Sequence, residues 1–231
     1  MSFGLGRTVG DAFERYKNGV APLECGGKDE HDNGNGSLMR ILPFSLYCIE
    51  TEMNEKDTAA LISEASSITH GHDISKMSCF IYTEFLRIIS ITKNPLIAHN
   101  YILNINYEEY FSKEAIAAHK KILDKTILYG TEEDISEKNG YVVATLESVL
   151  FSILESENYE EALLNALSFG YDTDTIGGIT GSIAGALYGY DDIPKRWLNK
   201  LKKREQLEKL ALDYEDTLSK VEKRSETFTL N

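Results

Sequence analysis

Apolar residues recur at helical spacing along almost the whole chain, and only four prolines interrupt the pattern. Such periodicity puts one apolar stripe on each of a series of helices. The strict alternation that a half-buried strand needs is nearly absent. The spacing predicts helices over residues 8–17, from about 43 to 49, and over 54–69, 74–91, 108–128, 141–154, 159–169, 175–188, 193–201 and 206–218. Pro43 suits the first turn of its helix, where no intrahelical N–H is required. Residues 141–154 and 159–169 read as an antiparallel pair joined by Glu155-Ser156-Glu157-Asn158. Polar loops are expected over 24–36 and 131–140, and a frayed tail over about 222–231. The fold class that follows is all-α: a compact multi-helix bundle, with residues 1–231 as a single domain.

Composition narrows the function. A chain of 231 residues can bury a sizeable core. Its 37 acidic against 24 basic side chains leave a net charge of −13, which argues against broad binding to a nucleic-acid backbone or an anionic membrane. A local basic pocket for phosphate remains compatible with it. Cys25, Cys48 and Cys79 are sparse, odd in number and without metal-site spacing, so a reduced, cytoplasmic setting is expected. The stretch Met1 to Arg7 has no apolar core of a signal peptide. No run approaches the roughly 20 apolar residues of a membrane span.

Four segments carry chemistry. In Tyr171-Asp172-Thr173-Asp174-Thr175-Ile176-Gly177-Gly178, two carboxylates and two hydroxyls precede a glycine-punctuated apolar run. Asp172, Asp174 and Thr175 offer hard oxygens of the kind Mg²⁺, Mn²⁺ or Ca²⁺ takes; they equally suit the capped first turn of a helix. Behind them, Gly177, Gly181, Gly185 and Gly189 recur every four residues along one helix face. Each costs roughly 1 kcal/mol in a helix interior, so close packing of a neighbour is expected there.

The second segment is Asn33-Gly34-Asn35-Gly36-Ser37-Leu38-Met39-Arg40. Its glycines let backbone N–H groups turn toward an anion such as a diphosphate, with Asn35 and Ser37 adding donors. Taken alone, the segment reads more readily as an ordinary Asn/Gly turn closed by a serine cap. The third is Thr69-His70-Gly71-His72-Asp73, where a histidine either caps a helix end, bonds a ribose or ligates a metal. In the fourth, Asn139-Gly140-Tyr141 places an aromatic ring at a pocket rim or simply in the packing.

Taken together, these segments resemble the ADP-ribosylglycohydrolase family, the group that includes the dinitrogenase-reductase-activating glycohydrolases. The matching pieces are Gly34 to Arg40 with Pro43, then Thr69-His70, then Gly140-Tyr141-Val142, and finally Gly170 to Gly177 running on through Gly189. The resemblance covers about residues 4–190, with the motifs in the family's order. It implies an all-α fold and hydrolysis of the bond joining ADP-ribose to a protein side chain or small acceptor, with a pair of Mg²⁺ or Mn²⁺ ions. It further implies that Asp172, Asp174 and Thr175 are metal ligands, with Asp172 and Asp174 catalytic. Asn33, Gly34, Asn35, Gly36 and Ser37 would hold the diphosphate and proximal ribose, His70 would contact the ribose, and Tyr141 would line the adenosine side.

One departure stands out. The family carries an earlier Thr-Asp-Asp motif that supplies the other half of the metal site, and no Thr-Asp-Asp occurs in this sequence. The expectation is an N-terminally incomplete domain with half of the ligands, impaired turnover, and apolar surface that a homodimer would cover. Two other readings compete. One is an ADP-ribose-binding protein without activity. The other is a His-Asp-type metal phosphohydrolase built on His31-Asp32, His72-Asp73 and Asp172.

Overall fold

The computed structural model describes residues 6–124 and 140–221. Those residues form twelve α-helices and no strand. They are α1 (Arg7–Lys17), α2 (Leu42–Glu50), α3 (Glu55–Ser67), α4 (Asp73–Thr92), α5 (Pro95–Leu103), α6 (Lys113–Ala118), α7 (Lys120–Leu123), α8 (Val142–Leu154), α9 (Tyr159–Ser168), α10 (Thr173–Tyr188), α11 (Lys195–Leu198) and α12 (Arg204–Leu218). Short 3₁₀ turns fill several of the joints. The expected all-α bundle is what the chain forms.

Helix α4 is the axis. Fifteen of its twenty residues are buried, because helices pack on it from several sides: α3 and α5, α2 and α6, α8 and α10. A helix apolar on one stripe needs one partner layer; one wrapped by neighbours must be apolar nearly all round. Phe80, Phe85, Leu86, Ile88 and Ile89 meet that demand. The polar residues it buries are paired: Glu84 with Arg87, Thr83 with Ser45, Ser78 with His119. No described helix is long and apolar enough to cross a membrane.

Two predicted elements differ from those observed, and one observed helix was not predicted. The single helix expected over 108–128 is a 3₁₀ turn followed by two short helices, α6 and α7. The break falls at His119, which is fully buried and turns its Nδ1 onto the Ala115 carbonyl at 2.8 Å. Residues 125–128 of that element, the loop 131–139 and the tail 222–231 lie outside the described residues. Helix α5 was not anticipated. Asn94 caps it by accepting from Leu96 and Ile97, and Pro95 opens it. The helix expected over 193–201 shortens to α11.

The four-glycine stripe also divides. A methyl on Gly181 would lie 3.0 Å from the Tyr159 hydroxyl of α9, and one on Gly177 would make ordinary contact with Leu167. Gly185 faces open space, and Gly189 ends α10 with a φ of 89°. Close approach therefore explains Gly181, an extended positive-φ conformation that glycine adopts readily explains Gly189, and nothing in the structure explains Gly185.

Candidate functional site

Two stretches far apart in sequence are brought edge to edge. Asn35 Nδ2 donates to Asp172 Oδ2 at 2.6 Å and to Thr145 Oγ1 of α8 at 3.0 Å. The loop is held from both sides. Asn35 N–H donates to the Gly140 carbonyl, and Val142 N–H donates to the Asn33 carbonyl, both at 3.0 Å. Asn33 is buried, accepts from Ser75 of α4 at 2.9 Å and donates to the Glu30 carbonyl at 3.0 Å. Ser37 is buried and accepts from the Cys79 thiol at 3.5 Å. Burial pushes that thiol up to about 11, so it stays protonated and donates.

The opposite edge is the head of α10. Gly170 and Tyr171 both adopt left-handed φ, 73° and 53°. A tyrosine there carries strain of order 1 kcal/mol. This turn sets Asp172 as the N-cap. Thr175 Oγ1 donates to Asp172 Oδ1 at 2.9 Å, and Thr175 N–H donates to Asp174 Oδ1 at 3.0 Å. Asp174 is exposed at the first turn, where the helix dipole favours a carboxylate.

His70 lies under the loop at 1% exposure. A methyl added to Gly36 would sit 2.9 Å from its Cε1, so the ring and loop backbone are in direct contact. Burial first, then the neighbouring Arg40, pull His70 down to about 4 against the opposing pull of Asp32. The imidazole is therefore neutral near pH 7. A cleft of about 550 Å³ opens beside the loop, lined by Glu30, His31, Asn33, Gly34, Tyr141 and Glu114 among others. A second groove of about 650 Å³ lies elsewhere, between α2, α3 and Tyr214 of α12.

The residues singled out in the sequence thus fall into three neighbouring positions. Asn33, Gly34 and Tyr141 border the cleft. Asn35 joins Asp172 and Thr175 at the head of α10. Ser37 and His70 form the buried underside of the loop, beneath Gly36. Sequence reasoning missed Gly26 and Gly27. Gly26 passes so close to α3 that a methyl would lie 2.3 Å from the Ser67 carbonyl, and Gly27 is covered by the Asp32 carboxylate. The adjacent pair of glycines was the available signal. Thr145 was missed as well, since a single polar residue carries no such signal, and Arg40, which closes the second segment, was given no role of its own.

The histidine-aspartate pairs are otherwise engaged. His72 caps α4, Asp73 accepts from the Ser112 N–H, and buried Asp32 pairs with Arg7 at 3.0 Å. No described group of three or more His, Cys, Asp or Glu side chains gathers to hold a metal. For the family's divalent cation the donor chemistry at α10 is right, since Asp172, Asp174 and Thr175 present only oxygens. Their number supplies part of a shell and no more.

Residues 1–226 match the ADP-ribosylglycohydrolase family. The chain belongs to that family. The ADP-ribosylarginine hydrolase Tri1 of Serratia proteamaculans is 31% identical over 217 residues, covering 90% of this chain and 53% of that protein. The ADP-ribosyl-[dinitrogen reductase] glycohydrolase of Rhodospirillum rubrum is 27% identical over 172 residues, 74% of this chain and 52% of that one. A solved "ADP-ribosylglycohydrolase-related protein complex" superposes with a TM-score of 0.70 at 29% identity, covering 90% of this chain and 68% of its own. This member of the family spans about half the length of the curated relatives it matches.

Proposed function

We propose that this family member is an ADP-ribosyl hydrolase, cleaving the glycosidic bond between ADP-ribose and a protein side chain or small acceptor. The observation that carries the proposal is the Asn35–Asp172 hydrogen bond. It joins the Asn33–Ser37 loop to a carboxylate-bearing helix head, beside a cleft of about 550 Å³. Family membership and the activities named for the relatives support the same chemistry.

In this reading the Asn33–Ser37 loop receives the diphosphate and proximal ribose, with His70 beneath, and Tyr141 borders the adenosine. The scissile carbon then lies toward α10. Glycoside cleavage gathers positive charge on that carbon. Asp172 and Asp174 place negative charge and hydrogen-bond acceptors there, able to hold a water and take its proton. Asn35 and Thr175 fix the Asp172 carboxylate in place. A divalent cation bound through Asp172, Asp174 and Thr175, with water or other ligands completing its shell, would supply charge stabilisation and an acidified water.

The test is turnover of an ADP-ribosylarginine peptide with Mg²⁺ and with chelator, alongside calorimetric titration of ADP-ribose. Wild type should bind and turn over only with the metal present. Asp172→Asn should lower turnover by about 100-fold or more, with a thermal midpoint close to wild type. Binding without turnover in any divalent metal supports the second reading, an ADP-ribose-binding protein, which the short donor set favours. Absence of ADP-ribose binding rejects both.

A further inference from the structure

A chain of hydrogen bonds runs beneath the loop, and one arrangement of its protons keeps the threonine hydroxyl paired. Arg40 Nη2 lies 2.7 Å from Thr69 Oγ1, which lies 2.8 Å from His70 Nδ1. Arginine has no acceptor, so Arg40 donates to the threonine oxygen. The threonine has one hydroxyl proton, and its remaining close partner is the histidine nitrogen. Donating it to Nδ1 pairs the hydroxyl, whereas the opposite tautomer would make the oxygen accept twice and leave its proton without a partner. A neutral imidazole carries one proton, so it sits on Nε2. Burial keeps the ring neutral at physiological pH.

The Nε2 side faces the loop. Methyls built on Gly34 and Gly36 would fall 3.5 Å and 3.4 Å from that nitrogen. His70 makes its side-chain hydrogen bond through Nδ1, and although the side chain is almost wholly buried, Nε2 is not among the fully enclosed unpartnered atoms of the described residues and so keeps access to the loop side. Arg40 stands three residues past Ser37 on the same stretch of chain and also donates to the Ser66 carbonyl at 3.4 Å. Loop and histidine are thus tied through one guanidinium.

We propose that Arg40 and Thr69 are positioning residues that lock His70 as the Nε2–H tautomer, presenting a fixed donor to an oxygen of ADP-ribose seated on the Gly34–Gly36 loop. The proposal rests on the reading of that loop as the ADP-ribose site. The alternative tautomer would offer a lone pair to an electron-rich ligand, which repels it.

Two-bond ¹H–¹⁵N correlation spectra of the histidine-labelled protein report the tautomer directly, and calorimetry with ADP-ribose reports its consequence. Wild-type His70 should show a protonated Nε2 and an unprotonated Nδ1. Thr69→Val, which keeps the shape and removes the hydroxyl, should bring in the Nδ1–H form and weaken ADP-ribose about tenfold. Thr69→Ser should restore both. If Thr69→Val fails to fold, Arg40→Met gives the second arm, with tautomer mixing and weakened binding expected. A wild-type spectrum with Nδ1 protonated overturns the relay whatever binds. So does a folded Thr69→Val that keeps both tautomer and affinity. The expected tautomer without any ADP-ribose binding leaves the relay standing and removes the ligand.

Discussion

Two sets of charged side chains in this molecule are treated in opposite ways. Glu84 and Arg87 lie in the middle of α4 at 0% and 1% exposure, and each satisfies the other. Arg87 donates to both carboxylate oxygens of Glu84 and to Thr58 at 2.8 Å. Asp172 and Asp174, at the head of α10, are partly or fully exposed and take only neutral donors from Asn35 and Thr175. No cation of the described protein pairs with either. The first arrangement is closed and has only structural work to do. The second leaves negative charge without a cationic partner among the described residues and in reach of solvent, as the proposed site needs.

The contrast can be tested first at its closed end. Arg87→Met should destabilise the fold by about 3–5 kcal/mol, because it strands a buried carboxylate. Urea denaturation measures it. The double variant Glu84→Leu with Arg87→Met should recover most of that loss, since two apolar side chains leave no charge behind. Equal losses in single and double variants would show that packing, rather than the unpaired charge, sets the cost.

Acid provides the next test. Burial draws both His70 and His119 down to about 4. Above the unfolded value of about 6.5, neither state binds the proton and stability is complete. Between 6.5 and 4 the unfolded chain takes up protons that the folded chain refuses, so stability falls as pH falls. Each histidine contributes up to about 1.4 kcal/mol per pH unit in that window. Denaturation at pH 7, 5.5 and 4.5 should show the slope, and His119→Gln should remove about half of it while leaving the open end at α10 untouched.

The smallest effects come from the glycines of α10. Gly185→Ala meets no neighbour and should raise stability by about 0.5–1 kcal/mol through helix propensity. Gly181→Ala should gain less or lose, because its methyl presses the Tyr159 hydroxyl at 3.0 Å. Thermal midpoints of the two variants separate a helix built for tight packing from one that tolerates filling.

Much of this architecture was legible in the chain. Residues 74–91 carry Met77, Phe80, Ile81, Phe85 and Ile88 at helical intervals, and α4 extends that span by one residue at each end. Asp172, Asp174 and Thr175 stood out because two carboxylates and a hydroxyl before a helix are a local signal. The element that escaped, α5, is apolar on nearly every face, so it shows no stripe; only Asn94-Pro95 marks its start. The continuous helix over 108–128 failed for a different reason. The break falls at His119, whose ring meets the Ala115 carbonyl four residues back and Ser78 of α4, the second a tertiary contact that periodicity does not register. The meeting of Asn35 with Asp172 spans 137 positions and became visible only in the fold.

Two isolated backbone pairings stitch the site floor, Gly27 with His70 and Gly34 with Tyr141. Every stretch that touches the site is thus borrowed from a different part of the chain. No excised fragment or half-folded intermediate would carry a working version of it. Long loop closures come late and slowly in folding, so the pocket should be among the last features acquired during refolding. Quenched-flow labelling would then find ligand recognition appearing only after α4 is fully protected.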